Sequence, residues 1–436
     1  MYSSSYDRDP DVILADIELN EVKGDQSLQV ENGIAKWDNC NLRQIPKRSQ
    51  KAARDIHILN LDYNYLEELP HHFVSCFQNL KELYLVGNSL LEVPSDIGRI
   101  QSIKILRLDL NRIKVLPNSI CNLLNLEVLS ISSNSLKSLP DDFGNLKHLE
   151  YLDVKYNQVT VLPATFSQLV RLEKLDLSYN DFHQLPHDFG SLQSLKEFFI
   201  VQNPKLTSLG PSFGNLERIT FLDASSCSIT ELPSNFLSCN SIKSLDLAQN
   251  NLYQIPDWIN HLPQLQVLNL QSAGLVGCPF TEEFGINSVD LVNVNLSGNK
   301  IKILPQSLIN LTKLENVDIG SGCLDEPDDC VRRGNRIKSL PRGFGYELFH
   351  LTKIVINECQ LQTLPRKFGG KLTSLIHLDL SSNDISLLPP SFSCMKNLRI
   401  CLLSNNCIEY LSTEFGKLTS LVELRLSRNK VFPNFS

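Results

Sequence analysis

The stretch NLEVLSISSNSLKSLPDDFG (residues 125–144) returns as HLEYLDVKYNQVTVLPATFS (148–167) and again as RLEKLDLSYNDFHQLPHDFG (171–190). Aligned on their asparagines, the units share aliphatic residues eight, five and three positions earlier and a proline six positions later. Self-similarity at a fixed period has to be read before any local pattern. Carried outward, the frame falls on Asn64, Asn88, Asn111, Asn134, Asn157, Asn180, Asn203, Asn250, Asn299, Asn383, Asn406 and Asn429. Cys40, Cys227, Ala273, Gly322 and Cys359 stand at the same phase. About seventeen units, mostly 23 or 24 residues long, fill the 436-residue chain and leave no gap for a second domain.

The spacing carries its own physics. A period-2 pair such as Leu175 and Leu177 marks a short strand with one face buried. The asparagine turns the chain inward, and its amide is expected to satisfy backbone groups of its own loop and of the next unit. Cys40, Cys227 and Cys359 fill that slot with a weaker hydrogen-bonding group. Pro70, Pro117, Pro140, Pro163, Pro186, Pro256 and Pro389 end the strand ladder by fixing φ and removing a donor. Phe143, Phe166, Phe189, Phe213, Phe236, Phe344, Phe368, Phe392 and Phe415 share one phase and should stack as an internal spine. Gly144, Gly190, Gly214 and Gly416 follow them and should relieve crowding on the outer turn.

One unit cannot bury its leucines, but a stack of them makes a continuous core. The pattern is that of an α/β leucine-rich-repeat solenoid, curved, with a parallel β-sheet on its concave face. Units this short leave room only for a helical turn or an irregular segment on the convex side. Seventeen rungs at roughly 4.8 Å give an arc on the order of 80 Å. Residues 1–28 fit no unit and are either disordered or a partial cap, so the solenoid is set at 29–436. The basic cluster KRSQKAAR (47–54) reads as a solvated convex turn. Near 321–333, SGCLDEPDDCVRR interrupts the phase as an insertion into the loop after a strand. Its Cys323 and Cys330, with no histidine near them, make weak partners for a redox pair or a metal, and an exposed loop is the better reading.

With 42% hydrophobic and 20% charged residues the composition suggests neither disorder nor a membrane protein. A net charge of −7 argues against a sequence-independent grip on nucleic acid, which needs a basic stripe. The N-terminus lacks the basic and apolar regions of a secretory signal, and no apolar run is long enough to cross a bilayer. Tyr2 excludes N-myristoylation. Twelve cysteines without a clustered framework read as reduced thiols, which places the protein in the cytoplasm, with the nucleus or a membrane-peripheral site reached through partners as further options. No GxxxxGK[ST], HExxH or GxGxxG occurs and the nine histidines are scattered. No catalytic, cofactor-binding or metal residue is assigned, and the protein is read as not an enzyme.

Binding is expected where strand residues point away from the core, six, four, two and one positions before the asparagine. These positions hold Tyr84, then Arg107 and Asp109, then Tyr151, Asp153, Lys155 and Tyr156, followed by Asp176, Tyr179, Phe199, Phe221 and Asp223. Tyr156 and Tyr179 are equivalent on neighbouring units, so their rings should lie side by side. Exposed aromatics among fixed charges are the material of interface hot spots. The aspartates have a plainer role open to them, because Asp recurs at the same position in LDLSxN units and keeps a sheet face soluble. For Phe199 and Phe221 exposure brings no structural benefit.

The units LPHDFGSLQSLKEFFI (185–200) and LPRKFGGKLTSLIHLDLSSN (364–383) resemble those of the cytoplasmic Ras-pathway scaffolds of suppressor-of-clear type. They are also similar to the Ras-suppressor proteins and to the Scribble and Erbin repeat domains, over about residues 33–433. The variant NPKLTSL (203–209), with an extra residue after its asparagine, is similar to one in the first group. The resemblance implies a non-enzymatic adaptor whose concave face holds a small GTPase, a phosphatase subunit or a related signalling protein. The Lys-rich N-terminal extension of that scaffold, with its phosphatase-docking motif, has no counterpart in the short acidic segment here. Two readings compete with an intracellular signalling scaffold. One is a structural or assembly protein of junctions or the cytoskeleton. The other is a receptor ectodomain, which the missing signal and missing cysteine-rich caps disfavour.

Overall fold

The computed structural model describes residues 30–45, 53–286, 289–322 and 334–431. Each unit supplies a three-residue strand whose central side chain is buried, as Leu175 is in Lys174–Asp176, except in the last, where Leu424 is exposed. Seventeen such strands pair in parallel, each with the next in chain order, and we number them as rungs 1 to 17 from Ile34–Lys36 to Glu423–Arg425. The period of the leucines and the count of rungs therefore agree. Val30–Glu31 turns back antiparallel onto rung 1 and covers its open edge. The basic cluster is described only from Ala53 onward, where Ala53–Asp55 forms a 3-10 turn with Ala53 buried and Arg54 exposed. Residues 1–28 and the insertion from Cys323 through Cys330 to Arg333 lie outside the described residues.

The strands are short because the chain turns at once. The residue before each asparagine adopts a left-handed backbone, with φ of +55° at Leu110, +53° at Tyr156 and +55° at Tyr179. A non-glycine residue resists that conformation, and the turn persists because it drops the asparagine into the core. Asn180 shows what is gained. Its Nδ2 donates to the carbonyls of Val154 (3.0 Å), Leu177 (3.1 Å) and Ser178 (3.1 Å), while its Oδ1 accepts from the Val159 N–H at 2.9 Å. Val154 and Val159 belong to the preceding unit. The expectation that the asparagine serves the next unit is therefore corrected: the left-handed residue aims the amide backward.

Where the asparagine is missing, that backbone amide is satisfied in other ways. The thiol of Cys227 donates to the Ile200 carbonyl at 3.2 Å but offers no comparable acceptor. The extra residue in NPKLTSL lets Leu206 N–H turn to the Asn203 carbonyl at 3.0 Å instead. At Ala273 the residue's own carbonyl accepts from Leu252 N–H at 2.8 Å. Gly322 does not occupy the slot that its phase assigned to it. Asn335, beyond the insertion, reaches back to Leu296 O (2.9 Å) and accepts from Ile301 N–H (2.9 Å). The insertion thus falls in the sequence between a strand and that strand's own asparagine.

On the convex side the prolines precede 3-10 helices of up to five residues, such as Ala164–Gln168 after Pro163. A parallel pairing of Val276–Gly277 with Lys300–Ile301, unread in the sequence, adds a small second ladder. Phenylalanines stack through the interior, with Phe143–Phe166 at 6.2 Å, Phe213–Phe236 at 5.5 Å and Phe368–Phe392 at 6.4 Å between centroids. Trp258 continues the spine against Phe236 at 4.4 Å, a part no phenylalanine register revealed. A Cβ on Gly144 would fall 1.9 Å from the Thr165 carbonyl, so stacking demands glycine there. One on Gly416 would meet nothing within 4 Å. All of this encloses one continuous core running the length of the stack.

Candidate protein-binding face

Parallel pairing without slippage sets the outward residues of successive rungs beside one another. One row runs Tyr84, Arg107, Ser130, Asp153, Asp176, Phe199 and Asp223; the next runs Tyr151, Lys174, Glu197 and Phe221. Tyr84, Arg107, Tyr151, Asp153, Asp176, Phe199, Phe221 and Asp223 therefore lie in adjoining rows over rungs 3 to 9, Glu82–Tyr84 to Phe221–Asp223, while Asp109, Lys155, Tyr156 and Tyr179 follow their strands.

Within that surface the aspartates are not equivalent. Asp109 is buried, and its Oδ1 accepts from the hydroxyls of Ser130 (2.5 Å) and Ser132 (2.7 Å) and from Ser132 N–H (2.8 Å). That carboxylate braces the sheet. Asp153 is only 4% exposed, and burial pushes its carboxyl up to about 6 against the pull of Lys155 N–H, with Asp176 adding repulsion. Lys155 Nζ stands 3.3 Å from Asp153 and 3.9 Å from Asp176. Burial opposes the lysine's charge, but the two carboxylates outweigh it and hold its ammonium up. The lysine's attraction does not offset what Asp153 loses by leaving water, so the pair is asymmetric. Tyr84, whose hydroxyl donates to Glu82 at 2.7 Å, is pushed up to about 12 by burial and by that carboxylate. Tyr151 is raised by burial and by Asp153.

The aromatics form two pairs. Tyr156 and Tyr179 stack at 4.2 Å with 16° between planes, both exposed, at the sheet margin where the backbone turns left-handed. Phe199 and Phe221 meet at 4.8 Å, half-buried, with Lys174 Nζ 5.2 Å over the Phe199 ring. Lys174 also pairs with Glu197 at 2.8 Å. Sequence reasoning missed Tyr63 and Leu110, which share the left-handed position and are exposed; Tyr63 lies across Gly87, where a Cβ would clash with its ring at 2.6 Å. It also missed Asn269, Asn293, Asn295 and Asn316, which stack on rungs 11 to 13 (Val267–Asn269, Asn293–Asn295, Asn316–Asp318) around a shallow cavity of about 310 Å³. Their signal was present: amides at outward strand positions in three successive units.

Among the described residues no group of three or more His, Cys, Asp or Glu side chains could hold a metal ion. No helix there is long and apolar enough to cross a membrane. The described cysteines carry free thiols, and burial pushes Cys227 up to about 11 and Cys239 up to about 12, which suits packing and not nucleophilic chemistry.

The rungs, the asparagine ladder and the convex 3-10 turns form a leucine-rich-repeat solenoid, a fold that typically serves as a non-enzymatic module for protein–protein interaction. The leucine rich repeat family profile matches residues 101–159, 125–182 and 349–400, and a second profile of the same description matches 241–262. The chain is similar to leucine-rich repeat-containing protein 20 of Homo sapiens, 34% identical over 80 residues, which is 17% of this chain and 44% of that protein. Leucine-rich repeat-containing protein 7 of Rattus norvegicus is 31% identical over 70 residues, 16% of this chain and 5% of that protein. The chain thus spans less than half the length of these curated relatives. A leucine-rich-repeat protein of Leptospira interrogans superposes with a TM-score of 0.72 at 25% identity, covering 87% of this chain and 98% of that one. The plant peptide hormone receptor RGFR1, solved in complex with RGF2, shares the fold at a TM-score of 0.58 and 24% identity, over 88% of this chain and 69% of that one. No catalytic family is among these matches.

Proposed function

We propose that this protein is a scaffold that holds a protein partner on rungs 3 to 9, works in the cytoplasm in Ras-type GTPase-linked signalling, and takes a small GTPase or a phosphatase subunit as that partner. The observation that carries the binding reading is the pair of aromatic groups set among fixed charges, Tyr156 on Tyr179 and Phe199 on Phe221, beside the Asp153–Lys155–Asp176 cluster. Such a surface gains little within the free protein, since Asp153 is held charged at neutral pH against its own burial. Ring area and a desolvated ion cluster return free energy when a partner covers them. The signalling assignment draws on the likeness of the repeat units to the Ras-pathway scaffolds, and the cytoplasmic one on the free thiols.

Affinity capture from cell lysate tests both levels, comparing the wild type with a Tyr156→Ala/Tyr179→Ala/Phe199→Ala variant of matched unfolding midpoint. A small GTPase or phosphatase subunit bound by the wild type and lost from the variant is the expected result. Junctional or cytoskeletal proteins retained equally by both would replace the signalling reading with a structural one.

A further inference from the structure

We propose that rungs 9 to 13 form a docking groove for an extended polypeptide segment bearing an arginine, whose guanidinium sits between Phe221 and Val267 against Asp223 and Asp246. The inference rests on the reading of the concave face as a protein-binding surface and names the chemistry that part of it selects.

Register builds the niche. Phe221, Ser244 and Val267 stand side by side on rungs 9, 10 and 11. The small serine between two larger residues leaves a gap two rung spacings wide, roughly 9–10 Å between flanking backbones. Asp223 and Asp246 are paired in the adjoining row. Both are held in place: Asp223 Oδ1 accepts from Ser225 N–H (3.0 Å) and Oγ (2.7 Å), and Asp246 accepts from Ala248 N–H (2.9 Å) and Asn269 Nδ2 (2.8 Å). Among the described residues no lysine or arginine nitrogen forms an ion pair with either, and Lys174, two rungs from Asp223, is engaged with Glu197 and Phe199. Contrast the Asp153–Asp176 pair, which Lys155 serves. Burial and the neighbouring Asp223 both raise the Asp246 carboxyl, so a cation is wanted there.

A guanidinium answers this geometry better than an ammonium, because it is planar, stacks on a ring face and offers several donors to two carboxylates at once. The surface beyond the niche says what the guanidinium is attached to. Asn269, Asn293, Asn295 and Asn316 continue across rungs 11 to 13, with Asp318 and Lys353 at the far side of the same shallow cavity. Asn316 donates to Asn293 Oδ1 at 2.6 Å, and Asn295 Oδ1 accepts from Ser297 N–H at 3.0 Å, so these amides form a fixed row. Carboxamides both donate and accept, as the C=O and N–H groups of an extended backbone require. Four rung spacings, roughly 19 Å, correspond to about six extended residues. A nucleic acid backbone would be repelled by the three aspartates.

The test selects random dodecapeptides displayed on phage against the immobilised full chain, then measures synthetic copies of the winners by fluorescence anisotropy. Arginine is expected to be enriched at one position. Replacing it by alanine, or making Asp223→Asn/Asp246→Asn in the protein, should weaken binding about tenfold or more. Lysine at that position should fall between, and Asn295→Ala/Asn316→Ala should cost about threefold or more. Peptides without basic enrichment that are lost from the Tyr156→Ala/Tyr179→Ala/Phe199→Ala variant would overturn the inference and leave the concave-face reading standing. Peptides that ignore every concave substitution would overturn both. Self-association in sedimentation velocity that vanishes in Asp223→Asn/Asp246→Asn would give the niche to a second copy of the chain and also sink the proposal.

Discussion

Replacing Asn180 by alanine isolates what the asparagine ladder contributes. The carbonyls that Asn180 serves are not orphaned by its loss, because Asn157 also donates to Val154 O at 3.0 Å, Asn203 to Leu177 O at 3.2 Å and Tyr156 N–H to Ser178 O at 3.0 Å. The Val159 N–H is different: Asn180 Oδ1 is its acceptor at 2.9 Å, and Val159 is buried. An unsatisfied buried donor costs about 1–3 kcal/mol, and the bonds lost from carbonyls that keep another partner add about 1 kcal/mol together, which places Asn180→Ala at about 2–4 kcal/mol. Asn180→Cys keeps a donor but loses the acceptor, so its penalty should come within about 1 kcal/mol of the alanine value. Cys227→Asn should gain under about 0.5 kcal/mol, because the amide it would serve already bonds to Asn203 O. Urea unfolding gives the energies, and hydrogen exchange at Val159 locates them. A loss under about 0.5 kcal/mol for Asn180→Ala, with the Val159 amide still protected, would refute this account of the ladder.

Three further substitutions probe the concave face and the stacking. Since the Asp153 carboxyl is raised from 3.8 to about 6, the folded protein favours its protonated form, so the associated stability is fully present below about pH 4 and is lost as pH rises through about 6. Asp153→Asn should therefore match the wild type near pH 4 and exceed it by about 1–3 kcal/mol at pH 7. Denaturation curves across that range decide it, and parallel curves at all pH values would contradict the shift. Gly144→Ala forces a methyl into the Thr165 carbonyl and should destabilise by about 1–3 kcal/mol or more, whereas Gly416→Ala, with open space around it, should stay within about 0.5 kcal/mol. Equal effects of the two, by thermal melting, would show that the convex glycines do not act through close approach of the next unit.

The fold was legible because leucines at a fixed period admit one arrangement, and the seventeen rungs follow from counting. The stacking of Tyr156 on Tyr179 was legible for the same reason, since equal phase becomes adjacency when strands pair without slippage. The direction of the asparagine amide was not, because it depends on the left-handed turn at the residue before it, a position that Tyr, Leu, Ser, Gln, Gly, Asn and Arg all fill. Asp109, Asp153 and Asp223 look alike in the sequence, yet one braces serines, one is buried beside a lysine and one stands without a cation. The serines that Asp109 braces lie 21 and 23 positions away, whereas the lysine beside Asp153 is its near neighbour Lys155. The amides of rungs 11 to 13 escaped notice because an outward asparagine resembles ordinary surface polarity until register lines several of them up. Gly322 was misassigned because phase counts residues, and the insertion moves the true partner, Asn335, out of phase while leaving it in place in space.

The most direct test of the concave sheet as the binding face is site-specific photo-crosslinking in cells. Benzoylphenylalanine replaces either Phe199 on rung 8 or Val170, which is 51% exposed just after the convex helix Ala164–Gln168. Adducts to a discrete protein partner from position 199 and none from position 170 is the outcome expected here. Adducts from position 170 alone would place recognition on the convex turns and contradict the account.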